Sequence, residues 1–156
     1  MNFFKSLAIT AISAVTLATS PASASTFTAS ETKLIDSLNQ AGVEIQVGKC
    51  RTEGSYGYFM PAKNLIGICS NVATTADQQW ETLRHEAIHA AQRCVNPSMA
   101  FTVKSSDYLL KNGLQSDWSF IQKSYDREDW AIELEAFTLM RTSNANVAAI
   151  VNSACR

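Results

Sequence analysis

A His-Glu-x-x-His motif occupies residues 85–89 and contains both histidines of the 156-residue chain. On a helix, His85 and His89 would lie one turn apart on the same side, about 40° apart around the axis. Two imidazoles so placed can bind one zinc ion. Glu86 is offset from that pair, so its carboxylate can reach a metal-bound water, whose pKa zinc lowers to about 7. The motif therefore predicts a Zn²⁺ site with Glu86 as the general base.

The third zinc ligand must be a carboxylate or a cysteine outside a disulfide, because the chain has no further histidine. A helix predicted near residues 127–142 carries an apolar face formed by Trp130, Leu134, Phe137 and Met140. Glu133 falls in the middle of that face, where a carboxylate is costly unless it is paired or bound to a metal. The pattern predicts Glu133 as the third ligand, whereas Glu135 points to the other side and is expected to lie in solvent.

Other interpretations of Glu133 stay open. Its carboxylate could form a buried salt bridge instead, and the candidate partners are Arg84, Arg127 and Arg141. Weaker candidates for the third ligand are Asp117, Asp126 and Asp129.

The elements around the motif must position it. Thr75 and Gln78 form a capping-box pattern and no glycine or proline follows until Pro97, so one helix is predicted from Ala76 to about Cys94. Strands are predicted near residues 43–47, 58–60 and 65–69, and further helices near residues 29–41, 106–112, 116–123 and 144–153. The predicted fold class is α+β, with a small antiparallel sheet packed on the motif helix and a helical C-terminal half.

Residues 1–24 have the pattern of a cleaved Sec-type signal peptide. Lys5 provides the positive start, residues 7–18 form an apolar run, and residues 22–24 (Ala-Ser-Ala) match a cleavage site. The run is shorter than the roughly 20 residues that a membrane span needs, and no later segment is apolar enough to cross a bilayer. Residues 25–156 are therefore predicted to form a single secreted or periplasmic domain that is not attached to a membrane.

The four cysteines all lie in the part predicted to be exported. An even number in an oxidising compartment predicts two disulfides, with three possible connectivities. We favour Cys50–Cys69, which would join two neighbouring strands, and Cys94–Cys155, which would fasten the C-terminal helix to the end of the motif helix. A zinc site built from cysteines is disfavoured because the chain has no Cys-x-x-Cys pair.

The two motifs resemble those of the gluzincin group of zinc metallopeptidases, in which His-Glu-x-x-His on one helix is followed by a glutamate ligand on a second helix. The matching residues are His85, Glu86, His89 and Glu133, the last in a Glu-x-x-Ala setting and 44 residues (133 − 89) after His89. The resemblance implies a zincin-like fold, with zinc bound by the two histidines and Glu133. It also implies that the strand at residues 65–69 borders the cleft and pairs with an extended peptide substrate.

The sequence departs from that group at two points. Phe137 stands four residues after Glu133, where many members have an aspartate that orients a ligand histidine, and Asp129 is a possible substitute. A histidine that stabilises the transition state cannot be present, because both histidines are used as ligands. The candidates for that role are Tyr125, Tyr108 and Arg127.

These observations predict a secreted zinc metallopeptidase whose partner is a peptide or protein substrate. The formal charge of −1, with 17% charged residues, argues against a nucleic-acid partner. One alternative is an exported zinc-binding interaction module without catalysis, although a purely structural site has no use for Glu86. Another is a disulfide-stabilised secreted domain with an accidental motif. The oligomeric state is left open.

Overall fold

The computed structural model describes residues 27–51, 54–98 and 106–156. The predicted signal peptide, residues 1–24, lies outside these ranges. Within them, no helix is both long and apolar enough to cross a membrane. The two disulfides described below indicate an extracellular or otherwise oxidising compartment.

Six α-helices and three strands make up the described part of the chain, in keeping with the predicted α+β class. In order they are α1 (Ala29–Gln40), β1 (Glu44–Gly48), β2 (Gly57–Met60), β3 (Leu65–Cys69), α2 (Ala76–Val95), α3 (Ser106–Asn112), α4 (Gln115–Ser124), α5 (Trp130–Leu139) and α6 (Asn144–Ala154). A short 3-10 turn, Pro61–Lys63, links β2 to β3.

Helix α2 contains the whole His-Glu-x-x-His motif and begins where the capping pattern predicts. The Thr75 hydroxyl accepts a hydrogen bond from the Gln78 backbone, and the Gln78 side chain accepts one from the Thr75 backbone. This reciprocal pair satisfies two backbone N–H groups that a helix start otherwise leaves without partners. Thr28 and Glu31 start α1 in the same way.

The three strands form one mixed sheet in the order β1-β3-β2, so the prediction of an antiparallel sheet is wrong for one of its two pairings. The short turn after β2 forces β3 to run antiparallel to it. β1 instead pairs in parallel with the other edge of β3, with Gly48 beside Cys69. Periodicity along a strand does not encode the direction of its neighbour, and both orientations give the same apolar alternation.

The main core lies between the sheet and helices α1, α2 and α6. Its largest fully buried side chains include Leu34 and Leu38 of α1, Ile66 of β3, Ile88 of α2 and Val151 of α6. A second, smaller cluster of Leu109, Ile121 and Leu134 joins α3, α4 and α5. α5 therefore packs on α2 through one side and on α3 and α4 through another.

Both favoured disulfide pairings are confirmed. Cys50–Cys69 joins the C-terminal ends of the two parallel strands, and Cys94–Cys155 ties α6 to the end of α2. The second closes a separation of 61 residues, for which the loop-entropy model gives a stabilisation of about 4 kcal/mol. This bond therefore holds the C-terminal half of the motif helix against the core.

Candidate metal centre

The side chains of His85, His89 and Glu133 meet in a buried group at the crossing of α2 and α5. The two Nε2 atoms of the histidines lie 3.1 Å apart. Glu133 places Oε2 at 3.3 Å from His85 Nε2 and Oε1 at 3.3 Å from His89 Nε2. The predicted third ligand is thus brought to both histidines.

The spacing of these atoms fits a metal ion. A tetrahedral zinc ion with bonds of about 2.0–2.1 Å separates its ligand atoms by about 3.3 Å. The two histidine Nε2 atoms are 3.1 Å apart, and each lies 3.3 Å from a different oxygen of Glu133. Two imidazoles and a carboxylate also form the donor set of catalytic zinc sites, which leave a fourth position open. This is the one group of three potential ligands found in the described ranges.

Within the described ranges of the chain, none of Arg84, Arg127 and Arg141 forms the alternative salt bridge with Glu133. Arg84 donates hydrogen bonds to the Met140 carbonyl and to Asn144. Arg141 forms an ion pair with Asp117, which also removes that aspartate from the list of candidate ligands. The carboxylate of Glu133 therefore faces the histidines instead.

The prediction that Glu135 lies in solvent is wrong, because its side chain is 0% exposed. A helical period identifies one apolar face, whereas α5 is covered by α2 on one side and by α3 and α4 on another. Glu135 Oε2 accepts a hydrogen bond of 2.9 Å from Gln92 Nε2. Gln92 Oε1 in turn lies 2.8 Å from His89 Nδ1.

His85 has a different environment. Its Nδ1 atom is buried and has no hydrogen-bond partner in the part of the chain that the structure describes. The ring instead packs edge-on against Phe137, with the ring centroids 4.7 Å apart. Phe137 stands four residues after Glu133, where many members of the gluzincin group have an orienting aspartate. Asp129 does not take over that role, because no hydrogen bond joins it to His85.

The carboxylate of Glu86 lies beside the group and is only 7% exposed. Burial raises its pKa, while the nearby His85 and His89 oppose that shift, as does a hydrogen bond from the backbone N–H of Phe59. Strand β2 can approach α2 this closely because position 57 is glycine. A Cβ atom there would lie 2.5 Å from Thr82 Cγ2.

Two cavities adjoin the group and share Ser55, Gly57, His85, Glu86 and Tyr125 in their linings. One has a volume of about 300 Å³ and extends towards Phe120, Phe137 and Met140. The other has a volume of about 440 Å³ and extends along β2 towards Pro61, Asp129 and Ile132. Together they form a cleft that passes over the three candidate ligands.

Strand β2, not β3, borders this cleft. β3 is paired on both edges, with β1 on one side and β2 on the other, so it has no edge left for a substrate. The prediction that residues 65–69 line the cleft is therefore wrong. The resemblance to the gluzincin group implied that role, whereas all five residues of β3 are buried, as expected of a central strand.

A family model described as a domain of unknown function (DUF8637) matches residues 24–155. The chain belongs to this family. No curated protein and no solved structure matches the chain. In this DUF8637 domain the matched segment includes the three candidate ligands, Glu86 and both disulfides.

Tyr125 is the candidate transition-state stabiliser that the DUF8637 fold brings to the site. It lines both cavities and shares the second of them with Glu133. Burial and the negative charges of Glu133 and Glu86 raise its pKa, so the phenol keeps its proton at neutral pH. Tyr108 and Arg127, the other two candidates, line neither cavity as far as the described residues show.

The protonation of the candidate ligands predicts how a metal would bind. Burial lowers the pKa of His89, but its hydrogen bond with Glu133 and the charge of Glu86 outweigh this and raise the pKa to about 9. For Glu133, burial raises the pKa, but hydrogen bonds with His85 and His89 outweigh it and lower the pKa to about 2. At neutral pH the metal-free group therefore pairs an imidazolium with a carboxylate.

We expect zinc binding at pH 7 to release a proton, since His89 must be neutral to bind a metal. As pH falls below 9 the proton competes more strongly, so zinc affinity should decrease by up to about tenfold per pH unit. Glu133 stays ionised throughout this window and adds no proton. Calorimetry in buffers of different ionisation enthalpy counts the protons, and an affinity that does not change between pH 7 and 9 would contradict the expectation.

Proposed function

We propose that this DUF8637 domain is a secreted or periplasmic zinc metallopeptidase of the gluzincin type with a zincin-like fold. The observation that carries the proposal is the buried carboxylate of Glu86, which faces the same cleft as the three candidate ligands. A structural metal site needs ligands but no adjacent base. The two helices that supply the ligands, with the motif on the first and the glutamate on the second, support the assignment to the gluzincin group.

A bound zinc ion would supply a water of lowered pKa and polarise the scissile carbonyl. Glu86 would take up a proton from the attacking water while the oxygen of that water bonds to the carbonyl carbon. Glu86 then transfers the proton to the leaving nitrogen as the C–N bond breaks. Burial of Glu86 raises its pKa, and a stronger base is better suited to take up the proton near neutral pH.

The edge of β2 suits an extended peptide. In an antiparallel ladder alternate residues turn their backbone groups away from the partner strand. The hydrogen bond from Cys69 N to Tyr56 O sets the phase of that alternation, so Gly57 and Phe59 face the cleft. The Ser55 hydroxyl donates a hydrogen bond to the Gly57 carbonyl, and the Phe59 N–H faces the carboxylate of Glu86 and lowers its pKa. The Gly57 N–H and the Phe59 carbonyl are left to pair with a substrate backbone.

The proposal is tested with the exported, disulfide-bonded protein. The purified protein is assayed for metal content and incubated with a broad peptide library before and after a chelator, and again after zinc is added back. We expect one bound zinc ion per chain and cleavage that is lost with the metal and restored by zinc. Zinc binding without cleavage of any peptide would favour the interaction module. A protein that takes up no zinc, with both histidines intact, would contradict the metal site itself.

Removal of the Tyr125 hydroxyl should slow turnover. We expect Tyr125→Phe to lower kcat by about 100-fold, the effect of losing one hydrogen-bond donor to a developing oxyanion. KM should change much less, because the interaction strengthens only in the transition state. Tyr108→Phe is the matched control. Zinc content is measured for both variants, since Tyr125 and Glu133 line the same cavity. An unchanged kcat would remove Tyr125 from the mechanism.

A further inference from the structure

Gln92 lies one helical turn after His89 on α2, and its amide is 0% exposed. All of its polar contacts are short. Gln92 Oε1 lies 2.8 Å from His89 Nδ1, and Gln92 Nε2 donates to the Ile132 carbonyl and to Glu135 Oε2, each at 2.9 Å. One buried side chain thus joins a candidate ligand on α2 to helix α5.

The donors and acceptors around Gln92 determine the orientation of its side-chain amide. A carbonyl oxygen and a carboxylate oxygen both accept hydrogen bonds, so the NH₂ group of Gln92 must face Ile132 and Glu135. Its oxygen then faces His89, and His89 Nδ1 must carry a hydrogen to donate to it. Nε2 of the same ring is thereby turned towards Glu133 and His85, where a metal would take its lone pair.

The position of the two acceptors on α5 adds a second constraint. Ile132 immediately precedes Glu133 in the chain, and Glu135 follows it by two residues. Gln92 therefore donates hydrogen bonds to α5 at positions before and after the third candidate ligand in the chain. The same amide that orients His89 also holds the backbone that carries Glu133 against α2.

We propose that Gln92, held by Glu135 and the Ile132 carbonyl, is the positioning residue that sets the geometry of the metal site. The inference rests on the proposed zinc site. His85 has no comparable support, since its Nδ1 atom lacks a hydrogen-bond partner in the described part of the chain. Among the described residues, Gln92 is thus the one that hydrogen-bonds to an Nδ1 atom of the histidine pair, and it is neither a ligand nor part of the motif.

The test uses Gln92→Glu, which keeps an oxygen for His89 but places a second oxygen against the Ile132 carbonyl and Glu135. We expect zinc affinity, measured by competition with a chromophoric chelator, to fall by about 10- to 100-fold. The double variant Q92E/E135Q restores a donor between the two side chains and should recover most of that loss. Gln79→Glu is the matched control, because Gln79 lies on the same helix but donates to the Ala73 carbonyl, away from the site.

Two further measurements separate positioning from general stability. The visible spectrum of the Co²⁺-substituted protein reports coordination geometry and should change in Q92E and return in the double variant. The unfolding temperature of each metal-free protein is measured in chelator. An isosteric Gln92→Met variant removes all the polar contacts while keeping most of the volume, and it serves as the second probe if Q92E folds poorly.

The outcomes distinguish this inference from the proposed function. A wild-type protein that binds no zinc contradicts the proposed function. A wild-type protein that binds zinc, together with Q92E and Q92M variants of equal affinity and unchanged Co²⁺ spectrum, overturns only the role of Gln92. The inference is also overturned if the double variant does not recover the zinc affinity and the loss of affinity is proportional to the loss of metal-free stability. Gln92 would then be a residue of the core.

Discussion

Glu86→Gln is expected to abolish peptide hydrolysis while zinc stays bound. Glutamine has the shape of glutamate and its oxygen can still accept the hydrogen bond from the Phe59 backbone, but it cannot take up a proton. Loss of a positioned general base costs about 10²- to 10⁴-fold in rate. We expect the upper end because, among the described residues, no carboxylate other than Glu86 lines both cavities. Since Glu86 is not a ligand, metal content should be unchanged.

The same substitution should not destabilise the metal-free protein. Burial raises the pKa of Glu86 above its ordinary value of 4.5. Its ionised form therefore costs folding free energy once the pH rises above 4.5, and a neutral amide removes that cost. We expect the Tm of metal-free Glu86→Gln at pH 7 to equal or exceed that of the wild type.

Activity, zinc content and Tm are compared with those of Glu128→Gln, an exposed glutamate that lines neither cavity in the described residues. Retention of more than a tenth of the wild-type kcat/KM by Glu86→Gln would exclude this residue as the base. Loss of zinc together with activity would show that Glu86 supports the metal rather than the proton transfer.

Glu133→Gln is expected to have the largest effect on metal binding. Two histidines alone leave a zinc ion with one protein ligand too few for a catalytic site. We expect affinity to fall by more than the roughly 10- to 100-fold that the loss of an outer-shell partner costs. Hydrolysis should be lost in parallel, because without the metal the attacking water is not activated.

This variant should also weaken the metal-free fold. Hydrogen bonds with the two histidines lower the pKa of Glu133 to about 2, so its ionised form stabilises the folded state above pH 4.5. That contribution is lost as the pH falls from 4.5 towards 2. The stability difference between wild type and Glu133→Gln should therefore be largest near neutral pH and shrink in acid.

Three glutamates along this part of the chain provide a graded comparison. The expected order of zinc affinity is Glu128→Gln equal to wild type, Glu135→Gln lower, and Glu133→Gln lowest. The order follows because Glu128 is exposed, Glu135 contacts His89 only indirectly through Gln92, and Glu133 is the direct ligand. Equal affinities for Glu133→Gln and wild type would remove Glu133 from the ligand set, whatever the other two variants do.

Several features of the site could be predicted because their causes lie close together in the chain. The spacing of His85 and His89 on a capped helix determines that both imidazoles share one side. The angular position of Glu133 within an apolar stripe marked it as a carboxylate that needs a partner. The cysteine pairing followed from the strands and helices that each cysteine adjoins.

The features that could not be predicted depend on how many other helices or strands pack against a given helix or strand. Glu135 was assigned to solvent because a helical period identifies one apolar face, whereas α5 is covered on two. Gln92 could not be recognised for the same reason, because it is a polar residue in a helix pattern and its only signal is its position one turn after His89. A search for amides one turn from a predicted ligand could have found it.

By itself, the sequence determined the α+β class, the motif helix, the candidate base and the three candidate ligands, because these rest on residue types and on the periodicity within single helices and strands. Only the tertiary structure decided that β1 joins β3 in parallel, that β2 forms the edge of the cleft, and that Gln92 links His89 to α5. Strand direction and helix burial depend on which surfaces meet in the folded protein. The periodicity of one helix or strand does not show which other elements pack on it.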